Sequence, residues 1–204
     1  MGEMRGWLGR ATVRLYLGFT RGRDKAFSML WAGAFASYGR RSVIQLPVRL
    51  RGAARIAVGS GVFVGSGSWL QIEGDESGDV ALSICDGTSI AGNCVLSAAS
   101  SVRIGRHVLV ARNVYIADHT HAFDDVRRPV LEQGIARVGA VEIGDGAWLG
   151  ENVVIGPGVR IGRGAVVGAN SVVLTDVPDF GVAVGAPARV VRTLVEDARV
   201  LSSG

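Results

Sequence analysis

Along most of the chain a large aliphatic residue returns at every sixth position. That spacing fits neither the 3.6-residue turn of a helix nor the two-residue alternation of a half-buried strand. In the second half the hexads read VEIGDG, AWLGEN, VVIGPG, VRIGRG, AVVGAN and SVVLTD, with Ile143, Leu149, Ile155, Ile161, Val167 and Val173 in the third place. The first place holds the smaller or β-branched Val141, Ala147, Val153, Val159, Ala165 and Ser171, and the fourth is glycine in five hexads of six. The same frame recurs upstream through Val58, Val64 and Leu70, through Ile84, Ile90 and Leu96, and through Ile104, Val110 and Ile116. A large side chain, a small one two places before it and a turn-forming glycine after it describe a short flat face followed by a corner. Such faces bury little alone and gain a core by stacking, so the pattern predicts a parallel β-solenoid with an aliphatic ladder inside.

The interruptions of the frame are as informative as the frame. Between Leu70 and Ile84 the excess falls on the polar EGDESGD, and between Leu96 and Ile104 two residues are added around SAAS. The largest slip, between Ile116 and Ile143, holds one hexad and a long excursion that starts at His119. Long loops within compact domains are usually functional or disordered. The chain therefore divides into a basic, partly apolar N-terminal segment, 1–55, expected to be helical; a solenoid, 56–177, with an extruded loop at 120–140; and a tail, 178–204, packing on the coils.

These hexads, together with VVLTDVPDFGVAVGAPARVVR (Val172 to Arg192), resemble the hexapeptide-repeat acyltransferases, and within them the sugar O-acetyltransferase branch that includes galactoside and maltose acetyltransferases. The likeness covers about Ile56 to Arg192. It implies an all-β solenoid, a left-handed parallel β-helix of triangular cross-section, with an N-terminal helical segment and a short C-terminal helix or tail. It also implies a homotrimer with sites between subunits, moving an acetyl group from acetyl-CoA to a hydroxyl of a sugar or glycoconjugate.

The residues suit that chemistry. Deprotonating an alcohol as it attacks a thioester calls for a general base titrating near neutrality, and imidazole is the natural one. There are three histidines, His107, His119 and His121. His119 stands where the coil breaks, in ADHTH, and the resemblance makes it the catalytic base. Its far nitrogen needs a partner; Asp118, a backbone carbonyl and an aspartate of a packed subunit are all open. Corner glycine amides of neighbouring coils are candidates for stabilising the oxyanion. Asp118, His121, Asp124 and Asn93 are candidates for binding or orienting the acceptor. Asp125, Arg127 and Arg128 on the excursion are sugar contacts or simply a solvated charged loop, and His121 orients the acceptor or is incidental. Trp148 precedes an aliphatic slot and so faces outward, offering a ligand surface or a subunit contact. The resemblance places it beside the base and the pantetheine arm, assigns Gly150, Ala169 and Thr175 to the cofactor, and assigns Arg189 and Arg192 to its phosphates. The family often has lysine next to the position of Thr175, in T-K-D; here LTD lacks it.

Composition narrows the alternatives. With 204 residues the chain is one domain, and its two cysteines, Cys85 and Cys94, are expected as free thiols. The absence of a visible cleavable signal points to the cytoplasm. Net charge is +4, but Arg5, Arg10, Arg14, Arg21, Arg23, Lys25, Arg40, Arg41, Arg49, Arg51 and Arg55 crowd the first quarter against Glu3 and Asp24. No nucleic-acid motif accompanies them. The apolar run Ala26 to Gly39 is too short to span a bilayer, and with its basic flanks suggests peripheral association at the inner face of the membrane. Two other classes use such solenoids: γ-type carbonic anhydrases, with three histidines on zinc, and non-catalytic binding scaffolds. The histidine spacing departs from the zinc enzymes, so no metal is expected. A passive scaffold has no need of the His119 loop and Trp148.

Overall fold

The computed structural model describes residues 2–75 and 77–194, the side chains of residues 2–5 apart. A long helix, α1 (Gly2–Trp31), leads through a short 3-10 turn, Ala32–Ala34, into a stack of coils. Each coil gives one short strand to each of three faces. The first face runs Ser37–Tyr38, Ile56–Val58, Leu82–Ile84, Val102–Ile104, Val141–Ile143, Arg160–Ile161. The second runs Val43–Ile44, Phe63–Val64, Ser89–Ile90, Leu109–Val110, Trp148–Leu149, Val166–Val167, and the third runs Arg49–Arg51, Trp69–Ile72, Val95–Ala98, Tyr115–Ala117, Val154–Ile155, Val172–Val173. All pairings between coils are parallel.

Register puts the aliphatic slots in columns. Val64, Ile90, Val110, Leu149 and Val167 stack inside the second face, and Leu70, Leu96, Ile116, Ile155 and Val173 inside the third. These side chains are fully buried, each contributing about 1.5–3 kcal/mol of transfer free energy. The corners use residues that tolerate left-handed backbone. Asn93, Asn113, Asn152 and Asn170 occupy the second–third corner at φ of 62°, 59°, 57° and 60°. Asn152 Nδ2 donates to Asn170 Oδ1 at 2.9 Å. Both cysteines are free, and burial pushes the Cys94 thiol up.

Two boundaries differ from the sequence expectation. The solenoid begins at Ser37, because Tyr38, Ile44 and Leu50 pair with Val58, Val64 and Leu70 as a first coil inside the 1–55 segment. That coil escapes the hexad pattern because its slot residues begin with tyrosine and two of the following glycines are replaced by Gln45 and Arg51. At the other end, the segment expected as a short helix or a tail on the coils is, in its described part, a β-hairpin and not a helix. Gly181–Gly185 adds to the second face beside Val166–Val167, and Ala188–Thr193 pairs antiparallel with it. The alternation in GVAVGAPARVV, with a turn at Gly185 (φ 101°), favours strand over helix. The expected tail beyond residue 194 lies outside the described residues.

The last turns of α1 close the first end of the stack. Ser28 Oγ accepts from the Ile44 amide at 3.0 Å, and Asp24 Oδ1 accepts from the Leu46 amide at 3.3 Å. The helix thus satisfies donors on an edge strand that would otherwise invite another chain.

Candidate active site

The coil breaks at the third–first corner. After Tyr115–Ala117 the chain leaves the wall and returns at Val141–Ile143, and Asp118 and His119 sit where it departs. Asp118 is fully buried, and its two oxygens take three backbone amides: Oδ1 from Ala99 at 2.8 Å, Oδ2 from Ser100 at 2.7 Å and Ser101 at 2.6 Å. Those amides face it because the SAAS insertion widens the neighbouring corner by two residues. Burial alone would raise this carboxyl, but the Ala99 amide, His119 and the other two amides outweigh it and hold it below the usual carboxylate range. It is therefore an ionised acceptor, and His119 Nδ1–H donates to its Oδ1 at 2.8 Å. With Nδ1 carrying the proton, Nε2 presents a lone pair. The ring is only 9% exposed.

The excursion is an ordered arm. Thr120–His121 pairs antiparallel with Ile135–Ala136, and Ala122 N donates to Gly134 O at 3.0 Å. Arg127 pairs with Asp125 at 3.3 Å, Gln133 Nε2 donates to the carbonyls of Asp125 and Arg128, and Arg128 reaches the Glu132 carbonyl. Asp125, Arg127 and Arg128 thus shape the arm, whereas His121 and Asp124 stand exposed on it.

Gln71, Ser97 and Ala117 are in register on the third face, each two residues before Glu73, Ala99 and His119 at the third–first corner. Gln71 and Glu73 belong to no motif of the chain and emerge only from the structure. Gln71 Nε2 donates to Glu73 Oε1 at 2.8 Å and to Ser97 Oγ at 3.0 Å. Along the same corner toward the last coils come Gly139, Gly158 and Thr175. The Gly139 amide is spent on the Asp118 carbonyl and the Gly158 amide on that of Gly139, both at 2.8 Å. The expected oxyanion donors are therefore not these amides in a single chain.

The remaining predicted residues lie elsewhere. Trp148, 49% exposed, stands on the second face in a row with Phe63, Ser89, Leu109 and Val166. Asn93, Gly150 and Ala169 line the second–third corner, at the far end of the third face from His119. A Cβ on Gly150 would come within 2.6 Å of the Ala169 amide nitrogen, so only glycine fits there. Arg189 and Arg192 are on the hairpin beside the second face. One chain brings His119 together with Asp118 and puts Thr175 on the same edge, but separates them from Trp148, Gly150, Ala169 and the two arginines. His107 stands at the first–second corner against Gly87, away from the other histidines. Among the described residues no group of three histidine, cysteine or acidic side chains is placed to hold a metal ion.

Residues 140–175 match the family model described as bacterial transferase hexapeptide (six repeats). A proposed lipopolysaccharide biosynthesis O-acetyl transferase of Escherichia coli K12, WbbJ, is 34% identical over 161 residues, 76% of this chain and 80% of that protein. The chain belongs to the hexapeptide-repeat acetyltransferase family. Another family member, galactoside O-acetyltransferase of E. coli K12, is 39% identical over 94 residues, 46% of this chain and 45% of its own length. Among the curated relatives the chain spans from 32% to 80% of the relative's length. The crystal structure of the hexapeptide-repeat acetyltransferase VCA0836 from Vibrio cholerae superposes with a TM-score of 0.59 at 30% identity, over 91% of this chain and 89% of that one. VCA0836 has also been crystallised with acetyl coenzyme A.

Proposed function

We propose that this hexapeptide-repeat protein is an O-acetyltransferase, moving an acetyl group from acetyl-CoA to a hydroxyl of a sugar or glycoconjugate, on a left-handed β-helix assembled as a homotrimer. The observation that carries the reading is the buried Asp118–His119 pair at the mouth of the excursion. His119 Nε2 takes the acceptor's hydroxyl proton as that oxygen attacks the thioester carbonyl, and returns it to the departing CoA sulfur. Asp118 holds the ring in the required tautomer and stabilises the transient imidazolium. Ala99, whose amide meets Asp118, is small, which suits an acceptor with hydroxyls on the side of the early coils. The carboxylate and carboxamide of Glu73 and Gln71 are suitable partners for them.

Acetyl-CoA fits the opposite side. Gly139, Gly158 and Thr175 leave a shallow edge where an extended chain can approach the backbone. Trp148, Gly150, Ala169, Arg189 and Arg192 join it only if a second copy presents its second face there, which favours sites between subunits. The exposed apolar rows agree with such packing: Phe63, Leu109 and Trp148 on the second face, Trp69 and Tyr115 on the third. The first face instead carries the charged Arg103, Glu142 and Arg160.

The test is CoA release from acetyl-CoA across a panel of sugar acceptors, wild type beside His119→Ala. Release that depends on acceptor and falls about a hundredfold or more in the variant is expected. Undiminished turnover in the variant would remove His119 as the base, and failure of the wild type to bind CoA would remove the reaction.

A further inference from the structure

The helix α1 touches the solenoid only through its last turns, where Asp24 and Ser28 are buried and Phe27 packs against the core. Before them it runs clear of the body: residues 7–10, 12–19 and 21–22 are all exposed, a stretch on the order of 25 Å long, and Arg23 then turns to the body, pairing with Asp24 at 2.7 Å and donating to the Leu46 carbonyl at 3.0 Å. Of the seven large apolar side chains exposed between residues 7 and 19, four gather on one side. At about 100° per residue, Trp7, Leu8, Leu15 and Phe19 share one side of the helix, roughly opposite the side by which Asp24, Phe27 and Ser28 dock. Phe19 is 70% exposed and Leu15 74%. Arg10, Arg14 and Arg21 form a line along one flank of this stripe. Between residues 6 and 23 there are four arginines and no acid. Val13, Tyr16 and Leu17, also exposed, lie nearer the docking side.

Two occupants compete for such a stripe. A second copy of the helix would set Arg10, Arg14 and Arg21 against their own counterparts, with Glu3 the one acid of α1 besides the buried Asp24. An anionic lipid surface answers every feature at once. The apolar stripe enters the acyl boundary, Trp7 and Phe19 sit at headgroup depth, and the flanking arginines reach up to the phosphates. At 30 residues the helix is long enough to cross a membrane but not apolar enough. We propose that residues 7–22 of α1 form a docking surface for an anionic phospholipid bilayer, lying in its plane and holding the solenoid at the membrane by its first coil. Arg40 and Arg41, exposed on that coil, add to the attraction. The proposal does not depend on the acetyl-transfer reading.

The experiment is flotation of the full chain with vesicles of equal parts phosphatidylcholine and phosphatidylglycerol, beside vesicles of phosphatidylcholine alone. The wild type is expected to float with the anionic vesicles at least about tenfold better than with the neutral ones, and to release as salt rises. Trp7→Ser/Phe19→Ser and Arg10→Glu/Arg14→Glu/Arg21→Glu are each expected to lose flotation while keeping the thermal transition of the wild type, since these residues touch nothing in the body. A wild type that stays at the bottom of the gradient, or floats equally on both vesicles, overturns the proposal. So do variants that float unchanged. Variants with a smaller mass in light scattering, beside a wild type that does not float, assign the stripe to another copy of the chain.

Discussion

Asp118 accepts three amides and one imidazole N–H, so its charge organises two coils and the departing arm together. Asp118→Ala would leave three amides without a partner, and the expected loss is about 3 kcal/mol, read as a lower denaturation midpoint. Asp118→Asn tests positioning instead. It keeps the volume but removes the charge that supports the imidazolium, so kcat is expected to fall while the KM for acetyl-CoA changes little. The pH dependence follows from the sign of the shift. The folded carboxyl lies below its unfolded value, so its contribution is fully present above the ordinary carboxylate range and is lost as pH falls through the folded value. Acid titration of the wild type should therefore show an acid-side loss of stability that Asp118→Asn lacks. At this scale the position of His119 was legible, because it stands at a phase break. The identity of its partner was not, since neighbouring residues on a strand point to opposite faces. The chain turns out of the strand after Ala117, and only that turn lets consecutive side chains meet.

At the scale of the element, each rung depends on its neighbours. Leu96 and Ile116 are fully buried and stacked in register, so either to alanine is expected to cost about 3 kcal/mol, with a matching fall in urea midpoint. Corners respond differently. Asn113 sits at φ 59°, so Asn113→Ala should destabilise by about 1 kcal/mol, whereas Asn113→Gly should be nearly neutral. Thermal melts of the pair separate backbone strain from lost packing. The middle coils could be counted from the hexads alone, since a period of six admits one kind of stacked face. The first coil and the closing hairpin could not, because they follow the ladder's geometry without its residue pattern. Tyr38 fills a slot that is aliphatic elsewhere, and the hairpin obeys a period of two.

For the whole molecule, the separation of His119 from Trp148 has a direct consequence. If the site is shared between copies, His119→Ala and Trp148→Ala, each weak alone, should regain part of the activity when refolded together, because mixed assemblies hold some sites with both residues intact. No recovery in co-refolded mixtures of confirmed mixed composition would place the site within one chain. A mass of three chains in light scattering is expected alongside.

By itself the sequence determined the repeat from Ile56 onward, the inward and outward positions of its hexads, their glycine corners and the point where the wall opens. These are local matters: a six-residue period and its phase leave little freedom once stacking begins. Only the tertiary structure decided which distant residues share an edge. It brought Glu73, Ala99 and His119 to one corner, turned the amides of Ala99, Ser100 and Ser101 onto Asp118, and left Trp148 and the two arginines on another face. Such neighbours are set by coil length, that is by the insertions of two, eight and more residues between hexads, and their side-chain consequences appear only when the coils are stacked.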